Sequence, residues 1–285
     1  MSRAIAAAFV AALAAGILLA GCAPAGKPAA EEAAAPQPDR FVAPEDFAKA
    51  LAPLAEARLR DPKDRTLAAR CLKTAEDIKR AADRAAAAKD YAMAQAGYRA
   101  LKANFGGLED LAPKLSFSKA DVDAGLKFAS IYHADARYLK AVAAADYPQA
   151  LEVYRLLHVD YPADPVVRGK YAAAAREIRS AGTRALEAGD YARAGSIHAL
   201  LLRNFAPLER LGPELGFSRA DLTKAVATCR IKLTTTGLAE YRKGNVTKAV
   251  AIWQSLLAFD PDNAEVKKAL ETAKVQMREA EKKKK

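Results

Sequence analysis

The side chains in this chain that could do chemistry are few and scattered. Three histidines, His133, His158 and His198, lie on different predicted helices, and none has a metal-ligating residue four positions later as an H-E-x-x-H zinc site requires. The phosphate-binding motif G-x-x-x-x-G-K-[S/T], the G-x-S-x-G nucleophile elbow and the Cys-x-x-Cys pair do not occur in the sequence. We therefore expect a protein that is not an enzyme and that uses no metal and no dissociable cofactor.

The thiol of Cys22 follows an apolar N-terminal segment. Arg3 precedes an unbroken apolar run from Ala4 to Ala20, which is short for a membrane span and has the layout of a secretory signal. The run ends in Leu-Ala-Gly-Cys, which resembles the lipobox of bacterial lipoproteins, whose cysteine is acylated and becomes the N-terminus of the mature protein. The alternative is an ordinary signal peptide with a chance cysteine.

The lipobox resemblance implies a signal peptide at 1–21, a covalent lipid on Cys22 and an exported protein attached to a membrane. Because Ala23 rather than aspartate follows the cysteine, the family's sorting rules imply the outer membrane, facing the periplasm, if the host is Gram-negative. The segment 22–44 contains five prolines and no hydrophobic period, which is typical of an extended tether.

Composition narrows the fold class and the kind of partner. Aromatic residues make up only 7% and alanine dominates, which favours close-packed helices over a β-sandwich. The formal net charge of +11 makes anionic lipid head groups, envelope polymers or an acidic protein suitable partners, and no nucleic acid is expected for an exported chain. We expect Cys71 and Cys229 to be small buried residues; a disulfide between them is the alternative.

An internal repeat is the strongest structural signal. Aligned without gaps, residues 81–128 and 181–228 are identical at 20 of 48 positions. Such a match indicates a duplication with a period of about 100. It divides the predicted helical domain, 45–285, into super-repeats at about 45–144 and 145–244, a final repeat and closing helix at about 245–282, and a basic tail at 282–285.

A smaller unit recurs inside each super-repeat. It consists of an aspartate or asparagine, an alanine four residues later, and a large side chain after four more. The five copies begin at Asp46, Asp90, Asp146, Asp190 and Asn245. This unit resembles the tetratricopeptide repeat, most closely over 237–263. The resemblance implies an all-α, tetratricopeptide-like solenoid of helical hairpins, with the polar residue capping the second helix and His198 in the packed interior.

The spacing departs from that family in two ways. Each first helix is predicted to be about ten residues longer than usual, so we expect about ten helices: one near 45–60, four long–short hairpins, and a closing helix near 263–282. Two twelve-residue connectors, Gly106–Phe117 and Ala206–Phe217, share leucines and a phenylalanine, which makes each a hydrophobic plug or a docking loop. A capping box is predicted after each of them, at Ser118 and Ser218.

In tetratricopeptide domains the partner lies against exposed positions of the first helices. Carried over to this chain, these groove candidates are Glu76, Lys79, Asp83, Tyr132, Asp135, Leu139, Arg176, Arg179, Thr183, Thr234, Tyr241 and Arg242. The arginines could clasp an acidic group and the tyrosines could anchor a partner. The alternative is that these residues are the polar faces of solvated helices.

The leading hypothesis is therefore a membrane-anchored scaffold that binds another envelope protein or peptide during cell-envelope assembly or maintenance. The competing one is a structural tether that binds anionic envelope polymers, peptidoglycan or lipopolysaccharide, through its basic surface. The lysines at 282–285 are either a solvated end or a weak contact for an anionic surface.

Overall fold

The computed structural model describes residues 41–282. The predicted signal peptide, Cys22, the tether as far as Arg40, and the last three lysines lie outside the described residues. Phe41 is already packed, with its ring 4.6 Å from that of Phe47, and Pro44 is the first residue of a helix. Residues 41–44 therefore belong with the helices rather than with the tether to which the sequence assigned them.

The described chain is all-α, with no strand between residues 41 and 282. It forms eleven α-helices, and the sequence predicted about ten; the additional one is the five-residue helix α8. In chain order the helices are α1 Pro44–Arg60, α2 Arg65–Ala87, α3 Tyr91–Asn104, α4 Lys119–Ala143, α5 Tyr147–Asp160, α6 Pro165–Glu187, α7 Tyr191–Arg203, α8 Phe205–Glu209, α9 Arg219–Arg242, α10 Val246–Leu257 and α11 Ala264–Lys282.

Long and short helices alternate as the spacing predicted. The first helices α2, α4, α6 and α9 have 23 to 25 residues, whereas their successors α3, α5, α7 and α10 have 12 to 14. The strongest contacts join each long helix to its neighbours along the chain, and α1 packs on both α2 and α3. The core accordingly forms successive clusters along the chain, each shared by neighbouring hairpins.

Caps explain where most helices begin. The carboxylates of Asp90, Asp146 and Asp190 each accept a hydrogen bond from the backbone N–H three residues on, at 3.1 Å, as the repeat predicted. Both predicted capping boxes are present: Ser118 pairs with the residue three positions later, and so does Ser218.

Two of the five predicted caps are wrong. Asp46 lies in the first turn of α1 because the helix already begins at Pro44, and its carboxylate accepts from the backbone N–H groups of Val42 and Ala43. Asn245 precedes α10, but its side-chain amide donates to Glu240 instead of accepting from the helix.

A glycine opposite an aromatic side chain holds neighbouring helices close together. A Cβ at Gly125 would lie 2.5 Å from the Tyr98 ring, and a Cβ at Gly237 would lie 2.3 Å from Nε1 of Trp253. His198 occupies the corresponding place and is buried, as predicted. Only a residue without a side chain permits these contacts, so the aromatic position of the repeat sits directly on the backbone of a first helix.

The two connectors are hydrophobic plugs. The first is a 3₁₀-helix, Phe105–Lys114, and the second contains α8 and a 3₁₀ turn, Gly212–Leu215. Their side chains join the neighbouring helical cores. The buried leucines are Leu108, Leu111, Leu208, Leu211 and Leu215.

Cys71 and Cys229 are both fully buried and unpaired. They lie in different core clusters, so the prediction of small buried residues is confirmed and the disulfide between them is not formed. Among the described helices, none combines the length and the apolar character needed to cross a bilayer.

Candidate partner-binding surfaces

The groove candidates on α2 are held by the chain itself. The Glu76 carboxylate accepts from the backbone N–H and from the hydroxyl of Ser116, both at 2.6 Å. Lys79 forms an ion pair of 2.7 Å with Asp83, and its ammonium lies 5.9 Å from the centre of the Phe117 ring. The contacts with Ser116 and Phe117 all reach the first connector, so this part of the predicted groove fastens the connector to α2.

The α6 candidates repeat that arrangement one hundred positions later. Arg176 donates to the backbone carbonyl of Glu214 in the second connector. The guanidinium of Arg179 lies 5.3 Å from the centre of the Phe217 ring. Thr183 donates to the Arg179 carbonyl at 3.2 Å. The two arginines proposed to clasp a partner's acidic group therefore both contact the second connector.

Two candidate carboxylates accept from tyrosines on the adjacent short helix. Tyr98 donates to Asp83 at 2.5 Å and Tyr154 donates to Asp135 at 2.6 Å. Asp135 also forms an ion pair of 2.8 Å with Lys170 of α6. Burial, followed by these hydrogen bonds, raises the pKa of both tyrosines, so each hydroxyl keeps its proton and remains a donor.

The remaining candidates differ in accessibility. Leu139 is 66% exposed and Arg242 is also exposed, whereas Thr234 is half-buried. The Tyr241 ring lies 5.7 Å from that of Trp253 and is half-buried. The structure therefore does not bring the twelve candidates together as one free surface.

Tyr132 belongs to a cluster of three rings, which we call the aromatic cluster: the exposed rings of Phe128 and Tyr132 and the half-buried ring of Tyr91. The Tyr91 and Tyr132 rings stack at 5.0 Å, and Phe128 lies 4.6 Å from Tyr132 and 6.2 Å from Tyr91. Phe128 is 46% exposed and Tyr132 is 42% exposed. Sequence reasoning selected Tyr132 but missed Phe128, which lies one turn earlier on the same helix α4. It also missed Tyr91, which only the packing of α3 on α4 brings to these two rings.

A sequence signal for the cluster did exist in the duplication. At the positions one hundred residues later, Phe128 and Tyr132 correspond to Thr228 and Lys232 on α9. The second copy folds as the same helix without these rings, so the repeat architecture does not require them. An exposed aromatic cluster that the fold does not require is a better binding candidate than the charged residues that fasten the connectors.

The histidines are engaged in packing. The Nδ1–H of His133 donates to the side-chain carbonyl of Gln95 at 3.0 Å, and that of His198 donates to the Ala194 carbonyl at 2.8 Å. The His158 ring lies 5.6 Å from that of Tyr171. Burial lowers the pKa of all three imidazoles, which keeps them neutral. Residues 41–282 contain no cluster of three potential metal ligands.

Comparison of the chain with protein-family models, with curated proteins and with solved structures gives no match.

Proposed function

We propose that this chain is a lipid-anchored scaffold built from tetratricopeptide-like hairpins, which binds a protein partner at the bacterial cell envelope. The alternation of long and short helices, the nearest-neighbour packing and the glycine–aromatic contacts support the repeat assignment. Export and anchoring are supported by the Leu-Ala-Gly-Cys sequence ending at Cys22.

The aromatic cluster is the observation that carries the binding function. Tyrosine and phenylalanine rings held by their neighbours bury a large area in a complex and lose little side-chain entropy on binding. In the free protein, Phe128 and Tyr132 leave nearly half of their surface in water. A partner that covers these two rings with apolar side chains removes their apolar surface from water, and this burial contributes favourable free energy to binding.

Cross-linking and capture from intact cells tests this function. The variant Phe128→Thr/Tyr132→Thr removes two exposed rings without changing the charge, and we expect it to lose the cross-linked partner while its circular dichroism stays helical. The matched control is Ile231→Thr, which removes an apolar side chain that is 63% exposed on α9. Equal capture by both variants and the wild type contradicts the proposal.

The anchor is tested separately by mass spectrometry. The wild-type protein should carry acyl chains on an N-terminal Cys22, and Cys22→Ser should be released from the membrane fraction. An unmodified Cys22 in the wild type contradicts the lipoprotein assignment but does not bear on the proposal that the aromatic cluster binds a partner.

The alternative function, a tether for anionic envelope polymers, is favoured by the net charge of +11. Salt distinguishes the two functions, because attraction to a polyanion through lysines and arginines falls steeply with ionic strength, whereas apolar docking does not. Capture that survives high salt but is lost in Phe128→Thr/Tyr132→Thr supports the scaffold.

A further inference from the structure

We propose that a groove between the short helices α5 and α7 is a second binding site, specific for an acidic amphipathic segment of a protein partner. The groove has a volume of about 380 Å³. We define the α5–α7 groove by six of its lining residues: Tyr147, Pro148, Arg193, Ile197, Leu200 and Arg203.

The floor of the groove is apolar. Ile197 is buried, Leu200 and Tyr147 are half-buried, and Pro148 is exposed at the rim. Both α5 and α7 pack on α6, and the groove lies between them. A floor of this kind accepts two or three apolar side chains of a docked segment.

The charged groups of the groove are arginines. Arg193 and Arg203 are both exposed, and Arg193 donates to the Tyr147 hydroxyl at 3.3 Å. Within the described part of the chain, neither arginine forms an ion pair with a carboxylate. They lie ten residues apart on α7, which separates their Cα atoms by about 15 Å along the helix axis.

Two carboxylates line a neighbouring pocket that shares Pro148 and Leu200 with the groove, and both accept hydrogen bonds within the chain. Asp146 caps α5 by accepting from the backbone N–H of Gln149 at 3.1 Å. Glu152 accepts two hydrogen bonds of 2.6 Å from Arg155. The groove therefore offers two cations and an apolar floor, and its charge is complementary to a segment with acidic residues at both ends and apolar ones between.

The duplication shows that the fold does not require this charge pattern. One hundred positions earlier, Arg193 and Arg203 correspond to Met93 and Ala103. The equivalent helix α3 forms with neither arginine. The two arginines are thus specific to the second copy, and the first copy supplies substitutions that a helix of this repeat accepts.

The test uses a labelled 16-residue helical peptide with two glutamates ten positions apart and leucines between them on the same face. Fluorescence anisotropy compares its binding to the wild type and to Arg193→Met/Arg203→Ala. We expect a loss of affinity of about tenfold or more in this variant, because two charge-assisted contacts are removed. The same peptide with glutamine at both acidic positions should lose a similar factor against the wild type.

The matched control is Arg99→Ala/Lys224→Ala, which removes two positive charges at positions where the other copy has alanine. This control and Phe128→Thr/Tyr132→Thr should both bind the peptide with the affinity of the wild type. The experiment therefore tests the α5–α7 groove separately from the aromatic cluster. The proposal is overturned if no variant of the peptide binds, or if the control weakens binding as much as Arg193→Met/Arg203→Ala does. A second measurement compares binding of the wild type and of Arg193→Met/Arg203→Ala to vesicles containing phosphatidylglycerol. The proposal is also overturned if the variant binds the peptide like the wild type and loses binding only to these vesicles, because the occupant would then be a lipid.

Discussion

The guanidinium of Arg179 lies 5.3 Å from the centre of the Phe217 ring, which joins the long helix α6 to the connector that follows α7. One hundred positions earlier, the ammonium of Lys79 lies 5.9 Å from the Phe117 ring. The duplication has therefore preserved a contact between a cation and an aromatic ring, together with the placement of the connector that it fastens. These cations stabilise the fold, and this role competes with the partner-binding role that the helix pattern suggested for them.

Arg179→Ala is expected to lower the free energy of unfolding by about 0.5–1 kcal/mol, because the guanidinium no longer covers the Phe217 ring. Arg179→Lys should retain most of that stability, since lysine occupies the equivalent position 79. Urea denaturation followed by circular dichroism measures the difference. The control Arg242→Ala removes an exposed arginine and should change little; equal effects at both positions would contradict the fastening role.

Gly237→Ala is expected to destabilise the protein by about 1–3 kcal/mol, because the new methyl group meets the Trp253 indole at 2.3 Å and the two helices must separate. Gly169→Ala is the matched change in α6, where a Cβ meets nothing within 4 Å. That substitution should stabilise by about 0.5–1 kcal/mol, since alanine favours the helix. Thermal melts of both variants test the contrast. A melting temperature for Gly237→Ala that is equal to or higher than that of the wild type would mean that α9 and α10 do not meet at this glycine.

Cys71 and Cys229 should resist alkylation while the protein is folded. Burial raises the pKa of the Cys71 thiol, and it raises the pKa of the Cys229 thiol to about 11, so neither is a thiolate near neutral pH. In a Cys22→Ser background, intact mass after iodoacetamide treatment should show no adduct in buffer and two adducts in denaturant. A mass two hydrogens lower than expected, with no adducts in denaturant, would reveal a disulfide and refute the separate burial of the two residues.

The carboxylate of Glu240 should make the free energy of unfolding depend on pH in the acid range. Its hydrogen bonds from Asn245, and then from Lys243 and Lys248, lower its pKa from the ordinary value of 4.5 to about 2. Because the unfolded chain takes up the proton first, the stabilising effect is complete above pH 4.5 and disappears as the pH falls towards 2. Glu240→Gln should be less stable than the wild type at neutral pH, and urea titrations should show the gap closing through that interval; a constant gap would contradict this.

The sequence alone determined the helices, because their signals are local. Asp90, Asp146 and Asp190 each precede a helix, because the side-chain carboxylate accepts from a free backbone N–H three residues later. This contact does not depend on which other helices pack nearby. The same local logic failed at Asp46, where the preceding Pro44 had already begun the helix with a backbone angle suited to it. The duplication of period 100 likewise predicted the order of long and short helices.

The surfaces were decided only by the tertiary structure. The ion pair of Asp135 with Lys170 joins residues 35 positions apart, and the aromatic cluster needs Tyr91 of α3 to reach Phe128 of α4. The α5–α7 groove likewise depends on how two helices pack on α6. A periodic pattern states which face of a helix is polar, but it does not state which neighbouring hairpin covers that face. For this reason most of the charged candidates on α2, α4 and α6 proved to be fastened within the chain, while exposed aromatic and arginine side chains elsewhere remained accessible.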